Sequence, residues 1–291
     1  MVRRHEITDQ AWQEIAPLLP TNQGRGGRWH DHRTMLNGMI YKLATGCPWR
    51  DLPERYGPWQ SVYGRYRRWA NDGTIDTILE HVQVRHDAVG HLPWEVSIDS
   101  TVVRAHQHAA GARKKGPSAA QNKDQALGRS RGGLSTKIHL AAEGRGLPLA
   151  LTITTGNTND STAFAQVMDT IRVPRPGRGR PRTRPERIIA DKAYSSKAIR
   201  RLLRSRRIGC TIPERSDQKA WRHRRGSYGG RPPAFDRQVY KRRNLVERCI
   251  GRLKRYRGIA TRFDKLATHY RAGVVLVSSL LWLNHEPENR T

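Results

Sequence analysis

EVSIDS, running from Glu95 to Ser100, is where the chain changes texture. Val96 and Ile98 alternate with Ser97 and Asp99, the period of a strand rather than of a helix. If Val96 and Ile98 face a core, Asp99 faces the other side of the sheet. Downstream, TKIHLAA (Thr136 to Ala142) and LALTIT (Leu149 to Thr154) read as a second and a third strand. A helix is expected over about Ser161 to Ile171, headed by Asn157, Asn159 and Asp160, with Asp160 the simplest N-cap. RIIA (Arg187 to Ala190) is a short apolar-centred strand that runs into Asp191. Ser196 to Arg206 reads as a basic helix, CTIP (Cys210 to Pro213) as another short strand, and Phe235 to Tyr256 as a long helix. Three strands, helix, strand, helix, strand, helix is a mixed sheet with helices packed on it.

That order matches an α/β fold of the ribonuclease-H-like kind. Upstream of Trp94 the pattern is helical. Ala11, Ile15, Leu18 and Leu19 follow helical spacing with Thr8 as a cap. Leu36, Met39, Ile40 and Leu43 repeat that spacing until Gly46 ends it. After the Pro- and Gly-rich turn CPWRDLPERYGPW, a helix over about Gln60 to Ala70 carries Tyr63, Arg65, Tyr66, Arg67, Arg68 and Trp69. A helix, a turn and a basic aromatic helix suggest a helix-turn-helix. A small helical bundle with a solvated basic face is the plainer reading. The expected division is a helical DNA-binding domain over 1–88 and a ribonuclease-H-like domain over 94–285. Three stretches read as cationic loops: Gly111 to Gly133, Val173 to Glu186 and Glu214 to Arg231. The second is Pro/Arg low complexity, with too little apolar surface to order itself.

Charge narrows the class of partner. The 291 residues include 54 Lys and Arg against 25 Asp and Glu, a net charge of +29. Such an excess repels itself unless a polyanion is near, and nucleic acid is the natural one. No basic amphipathic helix and no long apolar segment points to a membrane. Cys47, Cys210 and Cys249 are far apart and form no C-x-x-C pair, which argues against a disulfide framework or a zinc ribbon. MVRRHEITDQAW lacks the apolar run of a signal peptide. The expected location is the bacterial cytoplasm, in association with the nucleoid.

Phosphodiester chemistry needs hard cations, and Mg2+ is held by one or two carboxylates per ion. Acids at strand ends and on one helix are therefore the candidates. Asp99 lies in a strand, and Asp191 ends one, the usual place for site residues in open sheets. A helix cap or a turn is the bland alternative for either. In the long helix, Tyr240, Arg243, Glu247 and Lys254 fall within about 60° of one another on a helical wheel. Val246, Cys249, Ile250 and Leu253 form the neighbouring apolar stripe. A carboxylate among a phenol, a guanidinium and an ammonium suits a metal bound to phosphate, while Arg243 and Glu247 are equally a surface i,i+4 ion pair.

Asp99, Asp191 and Glu247, with Y-x2-R-x3-E-x6-K from Tyr240 to Lys254, resemble the bacterial insertion-sequence transposases with a catalytic DDE triad. The chain is similar to the insertion sequence 5 family, within the insertion sequence 4 superfamily. IDSTVVRAH, GRSRGGLSTKIHLAAEGRGLPL, TGNTNDSTAF, IIADKAYSS and RNLVERCIGRLKRYRGIATRFDK extend the likeness over nearly the whole chain. The resemblance implies that Asp99, Asp191 and Glu247 are catalytic and ligate two Mg2+ ions, with Mn2+ as a substitute. It implies that Tyr240, Arg243 and Lys254 contact transposon-end DNA near the scissile phosphate; the helix-turn-helix reading separately makes Arg65, Arg67 and Arg68 the expected DNA-binding residues, with Arg67 and Arg68 expected to favour the terminal repeat. The implied reaction is cleavage at the transposon ends and transfer of the 3′-hydroxyl strand into target DNA. A homodimer on DNA is implied as well. The stretch between Asp191 and Glu247 is too short for the strand-rich insertion of some superfamily members, which leaves a hairpin route in question.

Two alternatives stay open on sequence. One is a metal-dependent nuclease of the same fold without strand transfer, the other a non-enzymatic DNA-binding repressor. Ser100 and Thr101 beside Asp99 lack the context of a serine recombinase and read as structural hydroxyls. Tyr240 likewise lacks the arginines and histidine of a tyrosine recombinase. His106 and His108 make a poor zinc site without further ligands and read as a solvated or DNA-facing pair. Trp12, Trp29, Trp49, Trp59 and Trp69 read mostly as core, with Trp69 beside arginines a candidate for stacking on a base.

Overall fold

A computed structural model describes residues 4–21, 29–90, 92–110, 125–130 and 132–285. Most of the expected loop from Gly111 to Gly133 lies outside them. The N-terminal part follows its sequence signals closely. Thr8 accepts the Ala11 N–H at 3.2 Å and starts α1 (Asp9–Ile15). Asp31 accepts the Thr34 N–H at 2.8 Å and starts α2 (His32–Thr45), which ends where Gly46 turns left-handed at φ 72°. Then come α3 (Trp59–Asn71) and α4 (Thr74–Ala88).

The sheet begins with β1 (Glu95–Ala105), which runs on past the expected end at Ser100, followed by the short α5 (Gln107–Ala110). Next are β2 (Gly128–Ser130), β3 (Gly133–Ala142), β4 (Pro148–Thr155) and α6 (Asp160–Thr170). The cap of α6 is Asn159, not Asp160. Asn159 accepts the Ser161 N–H at 3.0 Å, and Asp160 is the first helical residue, its carboxylate engaged elsewhere. β5 (Arg187–Ala190), α7 (Lys197–Ser205) and β6 (Gly209–Thr211) complete the central pattern. The strands lie in the order β4–β3–β1–β5–β6, with β2 prolonging the β4 edge of β3. β1, β3 and β4 are antiparallel neighbours, while β5 and β6 run parallel to β1. This is the ribonuclease-H-like mixed sheet with flanking helices, preceded by helices, that the sequence order implies.

Three local expectations change. The stretch from Glu214 to Arg231 is not a loop. It holds α8 (Ser216–Arg224) and a single 3-10 turn over Gly226–Gly229. No residue of α8 is buried, so it has no apolar stripe to betray it; Gln218 ties it to Ser195 instead. The long helix breaks into α9 (Arg237–Lys241) and α10 (Asn244–Lys254). At the joint the N–H groups of Arg242 and Arg243 bond three residues back, and both side chains are drawn to acids of β1. The Pro/Arg stretch is pinned at its ends. Val173 and Arg182 exchange backbone bonds at 2.9 and 2.8 Å, and Arg182 stacks on Trp94 and pairs with Asp87 at 2.5 Å.

The chain closes with α11 (Arg257–Ala260), β7 (Thr261–Arg262) and α12 (Ala267–Leu283). α12 is apolar all round, which leaves no stripe to read, because α2, α3, α4 and α11 surround it and β4 lies beneath it. Gly273 permits the close approach: a Cβ there would meet Leu43 Cδ2 at 2.9 Å and Tyr66 Oη at 3.0 Å. Its buried Ser278 and Ser279 hydroxyls bond back to the Val274 and Val275 carbonyls. One core therefore joins the N-terminal helices to the sheet. Polar ties reinforce the junction: Lys42 with Asp264 at 3.4 Å, Arg271 with Asp76 at 2.7 Å, and Gln83 with the Leu149 carbonyl at 2.8 Å. Among the described residues no helix is long and apolar enough to cross a membrane.

Candidate active site

The parallel pairing of β1 with β5 brings two acids together. Ile98 is registered on Ala190, so Asp99 and Asp191 are the next residues along neighbouring strands. Each has one carboxylate oxygen fixed by a backbone N–H, Asp99 by Ser100 at 2.8 Å and Asp191 by Ala193 at 2.7 Å. Asp191 is also the cap of the following 3-10 turn, so its cap and site readings coexist. Glu247 comes from the first turn of α10, which packs on β1 and β3. Val246, Cys249 and Leu253 seat that helix, and Ile250 is half-buried.

Arg243 links the acids. It donates to Asp99 Oδ2 at 3.1 Å and to Glu247 Oε1. The Tyr240 ring lies 5.9 Å from the Arg243 guanidinium and packs on Phe235. Lys254 donates to the Val102 carbonyl at 3.2 Å. Tyr240 thus lies in α9, Arg243 at the head of α10, and Lys254, two turns beyond Glu247, on the Val102 carbonyl rather than on an acid.

Burial pushes the Asp99 carboxyl above its usual pKa. The Ser100 N–H and the Arg243 guanidinium counter this, while Asp191 and Glu247 add to it. Burial works against the charge of Arg243, yet Glu247 and Asp99 outweigh it and hold its pKa above the usual value. Lys254 is shifted down by burial. Asp99, with the charges of Asp191 and Glu247 acting on it and one guanidinium between it and Glu247, marks a site that favours added positive charge. The oxygens of these carboxylates are hard donors of the kind Mg2+ and Mn2+ accept. As they stand, no three His, Cys, Asp or Glu side chains among the described residues are gathered to hold an ion, and the Arg243 bridge occupies the space between Asp99 and Glu247. The chemistry of the donor set fits a divalent metal; to hold one, the carboxylates would have to exchange Arg243 for it.

The N-terminal candidates separate. Arg67 and Arg68 are exposed on α3. Arg65 is only 8% exposed; its guanidinium stacks on Trp29 at 4.4 Å and contacts His32 Nδ1. Trp69 is fully buried, so it has no face for a base. His106 and His108 pack edge to face with ring centroids 4.4 Å apart, with His106 also against Phe263. Cys47, Cys210 and Cys249 are all unpaired. Sequence reasoning missed a polar cluster behind β1, made by Ser100, Lys137 and Asp160. Its only signal was the position of Ser100 beside Asp99 and the turn-rich TGNTNDS.

Two acids from adjacent strands and a third from a later helix, on a ribonuclease-H-like sheet, are the layout of the DDE enzymes as a class. The chain belongs to the family described as "Transposase DDE domain", whose sequence profile matches residues 90–282. Residues 7–79 match "Putative transposase of IS4/5 family". Over 149 residues it is 33% identical to the "Putative transposase for insertion sequence element IS402" of Burkholderia cepacia, covering 51% of this chain and 63% of that protein. Over 155 residues it is 28% identical to the "Putative transposase for insertion sequence element IS6501" of Brucella ovis, covering 52% of this chain and 99% of that one. Among solved structures, the "Mos1 mariner paired end complex with Mn" aligns over 85% of this chain and 87% of its own, at 12% identity and a TM-score of 0.26. That superposition is too loose to carry geometry across.

Proposed function

We propose that this protein binds the terminal inverted repeats of an insertion sequence, cleaves DNA at the transposon ends and transfers the 3′-hydroxyl strand into target DNA. The observation that carries the proposal is the β1–β5 register, which sets Asp99 beside Asp191 while Arg243 joins Asp99 to Glu247. Asp99, Asp191 and Glu247 would hold the divalent ions, Mg2+ by preference and Mn2+ as a substitute. When bound, a metal pair supplies activation of the attacking oxygen and stabilisation of the leaving one. The chain's own residues supply the rest. Arg243 exchanges its carboxylates for a phosphate, for which its planar fork is suited. Tyr240 and Lys254 flank that phosphate, and Lys254 is already held against β1. Arg67 and Arg68 on α3 offer cations for DNA outside the cleavage site. Pairing of two ends makes a homodimer on DNA the expected assembly.

The test compares end cleavage by the wild type with Asp99→Ala, Asp191→Ala and Glu247→Ala. Each variant is expected to keep DNA binding and to lose cleavage by about a thousandfold or more, the equivalent of about 4 kcal/mol of transition-state stabilisation. A variant that cuts at the wild-type rate removes its residue from the triad. Joining of a pre-cleaved end into plasmid distinguishes a transposase from a nuclease of the same fold, which would cut and not join.

A further inference from the structure

The face of β1 opposite the acids carries a polar cluster that the proposed reaction leaves unused. Side chains alternate along a strand, so Ser100 points away from Asp99 toward α6. Residues directly opposite in an antiparallel pair share a face, which puts His139 and Lys137 of β3 on the same side as Ser100. The Ser100 hydroxyl donates to Asp160 Oδ1 at 2.7 Å. Lys137 Nζ donates to the same oxygen at 3.0 Å and to the Thr158 carbonyl at 2.7 Å.

His139, fully buried, is held down to a pKa of about 4, chiefly by burial. Its approach to Asp160 at 3.9 Å is therefore no ion pair at neutral pH, and Lys137 is the cation that balances Asp160. Tyr194 closes the cluster from below. Its ring packs on Phe164 of α6. Burial, then the charges of Asp160, Asp99 and Asp191, push its phenol well up, which keeps it neutral.

Ser100 thus reaches both faces of the sheet. Its hydroxyl is held by Asp160 on one side, and its backbone N–H donates to Asp99 Oδ1 on the other at 2.8 Å. A strand residue tethered by its side chain cannot easily rock, so its amide stays aimed at the carboxylate. We propose that Ser100, locked by Asp160 and Lys137, is a positioning residue that sets the orientation of the Asp99 carboxylate toward a divalent ion. The inference rests on Asp99 being a metal ligand, as the proposed function has it. Groups that orient a metal ligand without touching the metal typically change affinity by about 10–100-fold when removed.

The experiment is a Mn2+ titration of the full chain without DNA, in which the ion competes with Arg243 for the carboxylates, read by the electron paramagnetic resonance of the free ion. Ser100→Ala is expected to weaken Mn2+ binding about tenfold while its melting temperature stays near that of the wild type. Ser100→Thr keeps the hydroxyl on a residue suited to a strand and is expected to restore the affinity. Wild-type affinity in Ser100→Ala, or a loss in Ser100→Thr as large as in Ser100→Ala, overturns the inference. Asp99→Ala separates the two levels. If it binds Mn2+ as the wild type does, or if the wild type binds none at millimolar Mn2+, the metal site itself falls.

Discussion

Helices α3 and α10 look alike in sequence and differ in structure. Both are basic, both carry aromatic and apolar residues at helical spacing, and both were candidates for touching DNA. In α10 the polar stripe and the buried stripe separate cleanly: Val246, Cys249 and Leu253 go in, while Glu247 and Lys254 stay at the site with Arg243 at its head. In α3 they mix. Arg65 and Trp69, four residues apart and so on one face, turn inward with Val62 and Tyr66. Aliphatic side chains declare the inner face of a helix without ambiguity. Trp and Arg do not, because both can bury a flat body: Arg65 does so with its guanidinium held by Trp29 and His32, Trp69 with an indole N–H that has no hydrogen-bond partner.

The largest effect that would break this contrast is on stability. Trp69→Ala removes a fully buried indole and is expected to cost about 3–5 kcal/mol, read by denaturant unfolding. Glu247→Ala, whose side chain is 46% exposed, is expected to leave unfolding almost unchanged. If Trp69→Ala unfolds like the wild type and loses DNA binding instead, the indole is a base-stacking residue and α3 is misassigned.

A second test goes beneath α10. Glu143, in the turn between β3 and β4, is buried with Cys249 and Arg252 of α10 nearby. One of its carboxylate oxygens accepts the Leu147 and Arg145 N–H groups at 2.8 and 3.0 Å; the other, Oε2, has no hydrogen-bond partner. Burial lifts its pKa from 4.5 to about 7 against those favourable contacts. The folded state thus holds this proton where the unfolded chain has released it, and the stability it gives is complete below about pH 4.5 and lost as pH rises through 7. The whole span amounts to roughly 3 kcal/mol. Glu143→Gln keeps the accepting oxygen and cannot ionise. It should gain on the wild type by most of that amount between pH 4 and pH 8, measured as the difference in unfolding free energy. A constant difference across that range would mean Glu143 is ionised in the fold.

The same contrast explains what was legible. The strand order was readable because apolar runs such as RIIA and alternations such as EVSIDS are local, and the acids could be picked out because a chain so rich in cations spends few carboxylates. The register that makes neighbours of Asp99 and Asp191 was not local information; it is set by how β5 docks on β1. Nor was α12, whose uniform apolarity reflects burial on every side, nor α8, which has no buried face at all. The break between α9 and α10 was hidden for a further reason. Arg242 and Arg243 are good helix formers, and only their pull toward Glu95 and Asp99, far away in sequence, turns them into a joint.

The smallest effect is also the sharpest discriminator within α3. Arg67 and Arg68 are exposed, whereas Arg65 sits on Trp29 and is shifted below its usual pKa by burial and then by Arg68. Binding through phosphates releases counterions, so each lost contact should flatten the dependence of log affinity on log salt by about 0.9. Arg67→Ala and Arg68→Ala are expected to produce that change and to weaken terminal-repeat binding more than random-sequence binding. Arg65→Ala should leave the salt slope alone and lower the melting temperature, because it strips the cation from between Trp29 and His32. An equal drop in slope for all three would mean that α3 rotates on DNA to present Arg65. Equal losses on terminal-repeat and random DNA would reduce the helix to a general phosphate contact, leaving sequence recognition to be sought elsewhere in the chain.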